Sequence, residues 1–367
     1  MQRFKTVLKF TLFPVIALVV IVLISMFMAD SYTSDDARMR LYRNEAADSI
    51  DIAYVGASTI RAGIIPTEIY HATGLTGYDL SFASLPFELV RPILEEAQLT
   101  QKPKLYVIDI NNLTYSDRSL ATIKDFLKSV PDKARRNRYL NEIEPNKFEQ
   151  FKFNNQLYAN HENWRRTNDF FESKQLDINS QTSVLKGAGF YVKKAGFKES
   201  ETIDADDYTA KTEPSENNLT SLDRLLDYIE ANDLNVVFVK TPRFVNADSL
   251  KEIAIMNYVT EIINEHGFEV LNYARKMREL GMTPSDFADF SHLNVDGAKK
   301  FSNRLIEDIL ELGLVEPSAH TQSVTEHWDQ CYLDTDAYIT ASINSKSALS
   351  VYNDLTYLLE LKKRGNK

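Results

Sequence analysis

The feature that most restricts how this chain can fold is an alternation that starts near residue 48. Short runs rich in β-branched and aromatic residues occur at IDIAYV (50–55), YDLSF (78–82), KLYVIDI (104–110), NVVFVK (235–240) and FEVLNY (268–273). Helical patterns separate or follow them at 65–73, 86–98, 218–231, 247–265 and 295–312. The last of these carries Val295, Ala298, Phe301, Leu305, Ile309 and Leu312 at spacings of three and four, and Gly313 stops it. Parallel strands need long crossover connections, and helices supply them. The alternation therefore predicts an α/β fold: a mostly parallel five-stranded sheet with helices on both faces, three layers in all.

One interval breaks the rhythm. Residues 116–215 mix aromatic, charged and irregular stretches before the sheet resumes at 235, so they read as an insertion after the third strand that roofs the site. Residues 316–367 read as a polar extension that ends in the helical stretch YNDLTYLLELKKRGNK. The α/β domain itself is expected over 31–315.

The N-terminal residues set the expected compartment. Residues 10–28 carry no charge, and as a helix they reach about 28 Å, close to a bilayer core. Arg3, Lys5 and Lys9 precede this run and Asp30, Asp35 and Asp36 follow it. The positive-inside bias then leaves residue 1 in the cytoplasm and the domain after residue 30 outside, as a single-pass anchored protein. A cleaved signal peptide is the competing reading, but the run exceeds the usual apolar region and no A-x-A site follows. A net charge of −10 and the absence of a basic stripe with interleaved aromatics argue against nucleic acid as a partner. Cys331 is the only cysteine, which excludes an intrachain disulfide and a CxxC pair. His71, His161, His266, His320 and His327 show no metal-ligand spacing, so neither a metal nor a cofactor is expected.

Ligands of open α/β sheets bind outside the carboxyl ends of the strands. Three such ends carry reactive residue types here. The first strand runs into GAS, with Gly56 allowing a tight turn and Ser58 leaving it. The third ends in IDINN, bringing Asp109, Asn111 and Asn112. After the fifth comes DFSHLN (289–294), with Asp289 and His292 three residues apart and Asn294 placed to cap the last helix. A serine hydroxyl becomes a useful nucleophile when an imidazole takes its proton, and a carboxylate fixes the tautomer and orientation of that imidazole. Ser58, His292 and Asp289 are the residue types for that task. Donors for the developing oxyanion are sought in the Ser58 backbone N–H, a backbone N–H near Ser84 in SFASLP, and the Asn111 side-chain amide, with Asn112 as its rival. Lys240 and Arg243 in KTPRF are candidates for holding an anionic substrate, and Trp164 for stacking on a saccharide. Each residue also has a plain structural reading, as a helix cap, a turn residue, a solvated charge or a packing aromatic.

These blocks, in this order and context, resemble the first and last blocks of the SGNH or GDSL-like hydrolase superfamily. The anchor, LKGAGFYVKKAGF, and FVKTPRF followed by DFSHLNVDGAKKF are similar to its membrane-tethered bacterial branch, which includes a teichoic-acid D-alanylation protein and polysaccharide O-acetyltransferases. The resemblance covers about residues 48–315 apart from much of the insertion. It implies a flavodoxin-like three-layer fold, with Ser58 as nucleophile and His292 and Asp289 as its base and orienting acid. It also implies acyl transfer or ester hydrolysis on a cell-surface polysaccharide or wall polymer, with a membrane-bound acyltransferase as a further candidate partner. The chain departs from the family pattern in three places. Ala57 stands where an acid is frequent, SFASLP lacks the usual glycine, and DINN replaces a GxND block.

Overall fold

The computed structural model describes residues 2–29, 32–115, 117–144, 146–155, 176–205, 207–345 and 351–365. They form two compact units, Met1–Thr33 with Val130–Asp177, and Ser34–Ser129 with Ile178–Lys367.

The first unit is helical where it is described, with helices Gln2–Ala29, Lys133–Ile143 and Lys147–Asn154. Leu12, Phe13, Val15, Ile16 and Leu18 of the first helix are exposed. Among the described residues no helix is long and apolar enough to cross a membrane.

The second unit is built on one sheet of five strands, β1 (Ile52–Val55), β2 (Gly77–Asp79), β3 (Leu105–Asp109), β5 (Val236–Lys240) and β6 (Val270–Asn272). A separate two-stranded ladder joins β4 (Gly189–Phe190) to β7 (Tyr352–Asn353). The sheet order is β2-β1-β3-β5-β6, and every pairing is parallel. This is the flavodoxin-like doubly wound order, in which the crossovers reverse direction between β1 and β3 and open a crevice there. All five strands fall inside the runs expected from the sequence, except that β2 begins one residue early and hands over after Asp79 to a loop.

Val107, Val237 and Val239 on one face join Ile60, Ile64, Ile69, Phe301, Leu305 and Ile309 in a continuous core. Strand residues of the opposite parity, Ala53, Tyr106, Ile108 and Phe238, are also buried, so both faces are covered. The expected helices form at Pro66–Thr73, Val90–Ala97, Glu216–Ala231, Leu250–Glu265 and Val295–Glu311.

The interval read as a single insertion is divided. Residues Val130–Asp177 belong to the first unit, while Ile178 onward folds with the sheet. Within the latter, Leu185, Ala188 and Phe190 enter the core. The chain passes through as a strap held on all sides. Asp79 N donates to Lys186 O at 2.8 Å, Arg38 Nε donates to Gly187 O at 2.7 Å, and the Asp354 carboxylate accepts from Ser183 Oγ, Val184 N, Leu185 N and Gly187 N. Gly187 is obligatory here, because its φ is +80° and a Cβ would lie 2.1 Å from Asp79 O. The C-terminal segment is accordingly part of the same unit. Its helix Gln322–Ile343 buries Trp328, Cys331, Tyr338 and Ile339, and Tyr352 stacks on Phe190 at 5.3 Å.

A further helix, Ser34–Asn44, has no apolar stripe to announce it, yet it is almost wholly buried. Its charges are compensated one by one. Asp35 pairs with Arg38 and Arg61 at 2.9 and 3.0 Å, Asp36 with Lys128 at 3.0 Å, and Glu45 just beyond it with Lys186 at 2.8 Å.

Candidate active site

The turn after β1 is forced by packing. A Cβ on Gly56 would lie 2.5 Å from the Asp109 Cβ and 2.6 Å from Ile60 Cγ1, so only glycine lets the ends of β1 and β3 approach. Ala57 then caps in extended geometry and Ser58 opens the short helix Ser58–Gly63. Its backbone N–H is one of those a helix start leaves without an intrahelical acceptor.

The other half of the site is a compact loop ahead of Val295–Glu311. Phe287 and Leu293 bridge across it, Ala288 N donates to His292 O, and Asn294 N to Asp286 O. Asn294 caps the helix as expected, its side-chain oxygen accepting from Asp296 N and Gly297 N at 3.0 and 3.2 Å. With both feet fixed, the tip carries Asp289 and His292 to Ser58.

The three residues form one hydrogen-bonded line. Ser58 Oγ is 2.8 Å from His292 Nε2, and His292 Nδ1 is 2.9 and 3.0 Å from the two Asp289 oxygens. Asp289 Oδ1 also accepts from the backbone N–H groups of Ser291 and His292, both at 2.9 Å. Partial burial pushes the Asp289 carboxyl up, but the hydrogen bonds and charge of His292 and the two backbone donors outweigh it, leaving it well below the usual carboxylate range. An ionised Asp289 places the imidazole proton on Nδ1, which leaves Nε2 to accept from Ser58.

The expected oxyanion donors meet with less agreement. The loop after β2 is tied to the turn before Ser58 through Phe82 N, which donates to Gly56 O at 3.0 Å. Ala83 N is already committed to Asp35 Oδ2 at 2.9 Å. Ser84 itself has φ +47°, the left-handed region in which glycine is least strained, and it lines a groove with Thr114, Tyr115, Arg118 and Glu252. Asn111 does not present its amide without another commitment. Its Nδ2 donates to Thr241 Oγ1 at 2.7 Å, and its backbone N–H donates to Asp109. Asn112 is fully buried, and neither of its side-chain polar atoms has a hydrogen-bond partner among the described residues.

The candidates for anion binding are placed differently from what a strand-end charge suggests. Lys240 is only 1 % exposed, and its Nζ has no hydrogen-bond partner among the described residues. Burial, followed by the nearby Arg243, drives its pKa well below the ordinary lysine value. Arg243 pairs with Glu252 at 2.5 Å, and Trp164 lies outside the described residues.

Two neighbours were not singled out in the sequence. The Tyr191 ring sits 5.4 Å from the His292 ring, brought there by the strap, whose Tyr191 O accepts from Val295 N at 2.9 Å. Thr59 donates to Asp109 Oδ2 at 2.7 Å, so one buried carboxylate holds both the helix Ser58–Gly63 and the Asn111 turn. Burial raises the Asp109 carboxyl to about 6. A hydroxyl directly after Ser58 is the available signal for Thr59; Tyr191 has none, because only the folded strap brings it near His292.

A scan against protein-family models finds no match to this chain, and a search of curated proteins finds none either.

Proposed function

We propose that the chain is a serine-dependent acyl-transfer enzyme of SGNH type, working outside the cytoplasm on ester-bearing glycans or wall polymers, with the N-terminal helix as its membrane anchor. The observation that carries this reading is the unbroken line Ser58 Oγ, His292 Nε2, His292 Nδ1, Asp289. The exposed apolar side chains of Gln2–Ala29 support the anchor, and the resemblance of GAS and DFSHLN to family blocks supports the substrate class.

In this reading Ser58 Oγ attacks the acyl carbonyl carbon as His292 Nε2 takes its proton. A C–O bond to Ser58 forms, the bond to the leaving alkoxide breaks, and His292 returns the proton to that alkoxide. His292 then removes a proton from water or a polymer hydroxyl, which attacks the acyl-enzyme and releases Ser58. Asp289 stays ionised throughout and balances the imidazolium in both halves. The groove beside Ser84, about 480 Å³ and lined by hydroxyl and charged side chains, has room for a sugar unit at the loops that follow β2 and β3.

A noncatalytic SGNH-fold scaffold, binding polymer or a membrane acyltransferase, is favoured by one specific observation. Two of the sought oxyanion donors, Ala83 N and Asn111 Nδ2, are engaged by Asp35 and Thr241. Intact mass after treatment with a fluorophosphonate separates the two. An enzyme gains one adduct that Ser58→Ala abolishes, whereas no adduct on a folded wild type rejects the catalytic reading.

A further inference from the structure

The chain that leaves the strap after Gly187 clamps the loop carrying His292. Val295 N donates to Tyr191 O at 2.9 Å and Ala195 N to Phe287 O at 2.6 Å, so residues 191–195 hold both feet of that loop. At its tip Phe290 stacks on Phe197, with ring centres 4.2 Å apart and planes 13° from parallel. Phe244, which follows β5, adds a third tie, its N–H donating to Phe290 O at 2.9 Å.

On this mount the Tyr191 ring lies 5.4 Å from the His292 ring, with the planes 49° apart. The hydrogen bonds of His292 use its two nitrogens, Nε2 toward Ser58 Oγ and Nδ1 toward Asp289, with Ser291 Oγ 3.3 Å from Nδ1. Bonds to ring nitrogens lie near the ring plane and do not restrain its tilt. The aromatic contact supplies a restraint of another kind, at a separation typical of favourable ring pairs.

The same contact discriminates between the two protonation states. An aromatic ring attracts a cation within about 6 Å, and that attraction is absent while the imidazole is neutral. It therefore favours the imidazolium that a serine line must form and then discharge. The charges around the pair are accounted for. Asp289 acts from the same loop and also favours the imidazolium. From the helix Ser58–Gly63, Arg61 lies within the field of Tyr191 but is committed to Asp35 at 3.0 Å, and Lys194 pairs with Asp296 at 3.6 Å. Tyr191 itself stays neutral, because burial raises its hydroxyl above the ordinary tyrosine value.

We propose that Tyr191 is a positioning residue for the reaction, its ring steadying the His292 imidazole and stabilising the protonated form. The inference rests on the acyl-transfer reading and deepens it.

The test is the pH dependence of kcat and kcat/KM for a small acetyl ester, measured on the full chain in detergent, with unfolding midpoints alongside. Tyr191→Phe keeps the ring and should retain the wild-type profile. Tyr191→Leu should lower kcat about two- to fivefold with KM unchanged. Its acid limb in kcat/KM, which reports the free imidazole, should move about half a unit toward lower pH, since the imidazolium has lost a partner. Pentafluorophenylalanine at position 191 keeps the shape but reverses the charge distribution of the ring, so it should shift the limb in the same direction, a second readout should Tyr191→Leu fold poorly. A wild-type profile with both of these replacements overturns the proposal. Equal losses in Tyr191→Phe and Tyr191→Leu, or a change confined to KM, overturn it as well, while the fluorophosphonate adduct on Ser58 persists and the acyl-transfer reading stands. A folded wild type with neither turnover nor adduct brings down both.

Discussion

At the rim, Asp289 is 53 % and His292 21 % exposed, and the carboxylate reaches its imidazole three residues along the chain. In the strap, Lys186 and Glu45 are 0 % and 1 % exposed, and they meet across 141 residues. Both regions pair a cation-forming side chain with a carboxylate at under 3 Å. The difference lies in what surrounds them. The exposure of Asp289 leaves that pair open to solvent, as the proton transfer of the proposed reaction requires. Lys186 and Glu45 are buried from solvent and share His327, which lies 2.9 Å from Lys186 Nζ and 3.6 Å from Glu45, so the charges are fixed by one another within a closed cluster. Local encoding and exposure go with the proposed chemistry, whereas long range and burial go with architecture.

The largest expected effect breaks the rim without touching the strap. Ser58→Ala and His292→Ala should each lower hydrolysis of a small acetyl ester by roughly three to six orders of magnitude, and Asp289→Asn by about 10⁴-fold. The double variant Ser58→Ala with His292→Ala should be little worse than either alone, because residues acting as a unit are not additive. Unfolding midpoints should stay near wild type. If activity survives Ser58→Ala, the rim is no more chemical than the strap and the contrast fails.

Next comes the converse. Lys186→Met leaves the buried Glu45 with only His327 and the Ser183 N–H beside it, and should cost at most about 3–5 kcal/mol in denaturant unfolding while the folded fraction keeps its turnover. Adding Glu45→Leu should restore part of the loss, since a pair of apolar side chains removes the stranded charge. Turnover falling in step with stability in both variants would show that the strap serves the site directly, through Tyr191.

The smallest effect places Asp109 between the two regimes, as a buried carboxyl at the rim. Its folded pKa is raised to about 6, so between about pH 4 and 6 the folded protein binds more protons there than the unfolded chain does. Wild-type stability from this group is therefore greatest below about pH 4 and falls as pH rises through 6. The deficit of Asp109→Asn should be largest at low pH and shrink toward pH 7, as read from midpoints across that range. A deficit that grows with pH would make Asp109 an ordinary ionised partner of Thr59.

The same contrast explains what the sequence disclosed. The five strands and five major helices are legible because apolar periodicity is a local signal, and IDIAYV or FEVLNY needs no knowledge of its neighbours. Asp289, His292 and Asn294 are legible because a turn and a cap are local as well. The helix Ser34–Asn44 is not, since SDDARMRLYRN reads as a solvated surface until Arg61, Lys128 and Glu96 arrive from elsewhere to neutralise it. Lys240 read as a surface cation because a strand end normally meets water; here the chain around Arg243 and Glu252 closes over it. Helix Gln322–Ile343 was obscured by the polar residues between Trp328, Cys331, Tyr338 and Ile339, which bury only because the sheet unit offers them a surface.

The grip of Asp354 on the strap has a consequence in time. Its carboxylate is separated by 167 to 171 residues from the groups it holds, and closing a loop of that length costs on the order of 4–5 kcal/mol of chain entropy. A polypeptide delivered from its N-terminal end presents Ser183 to Gly187 long before Asp354 exists to receive them, so those donors must be solvated while synthesis continues. The latch is among the last contacts to form. Tyr191, four residues past Gly187, is held separately by Val295 N, so a chain that ends before Asp354 can bring the ring beside His292 while the strap ahead of it stays unlatched.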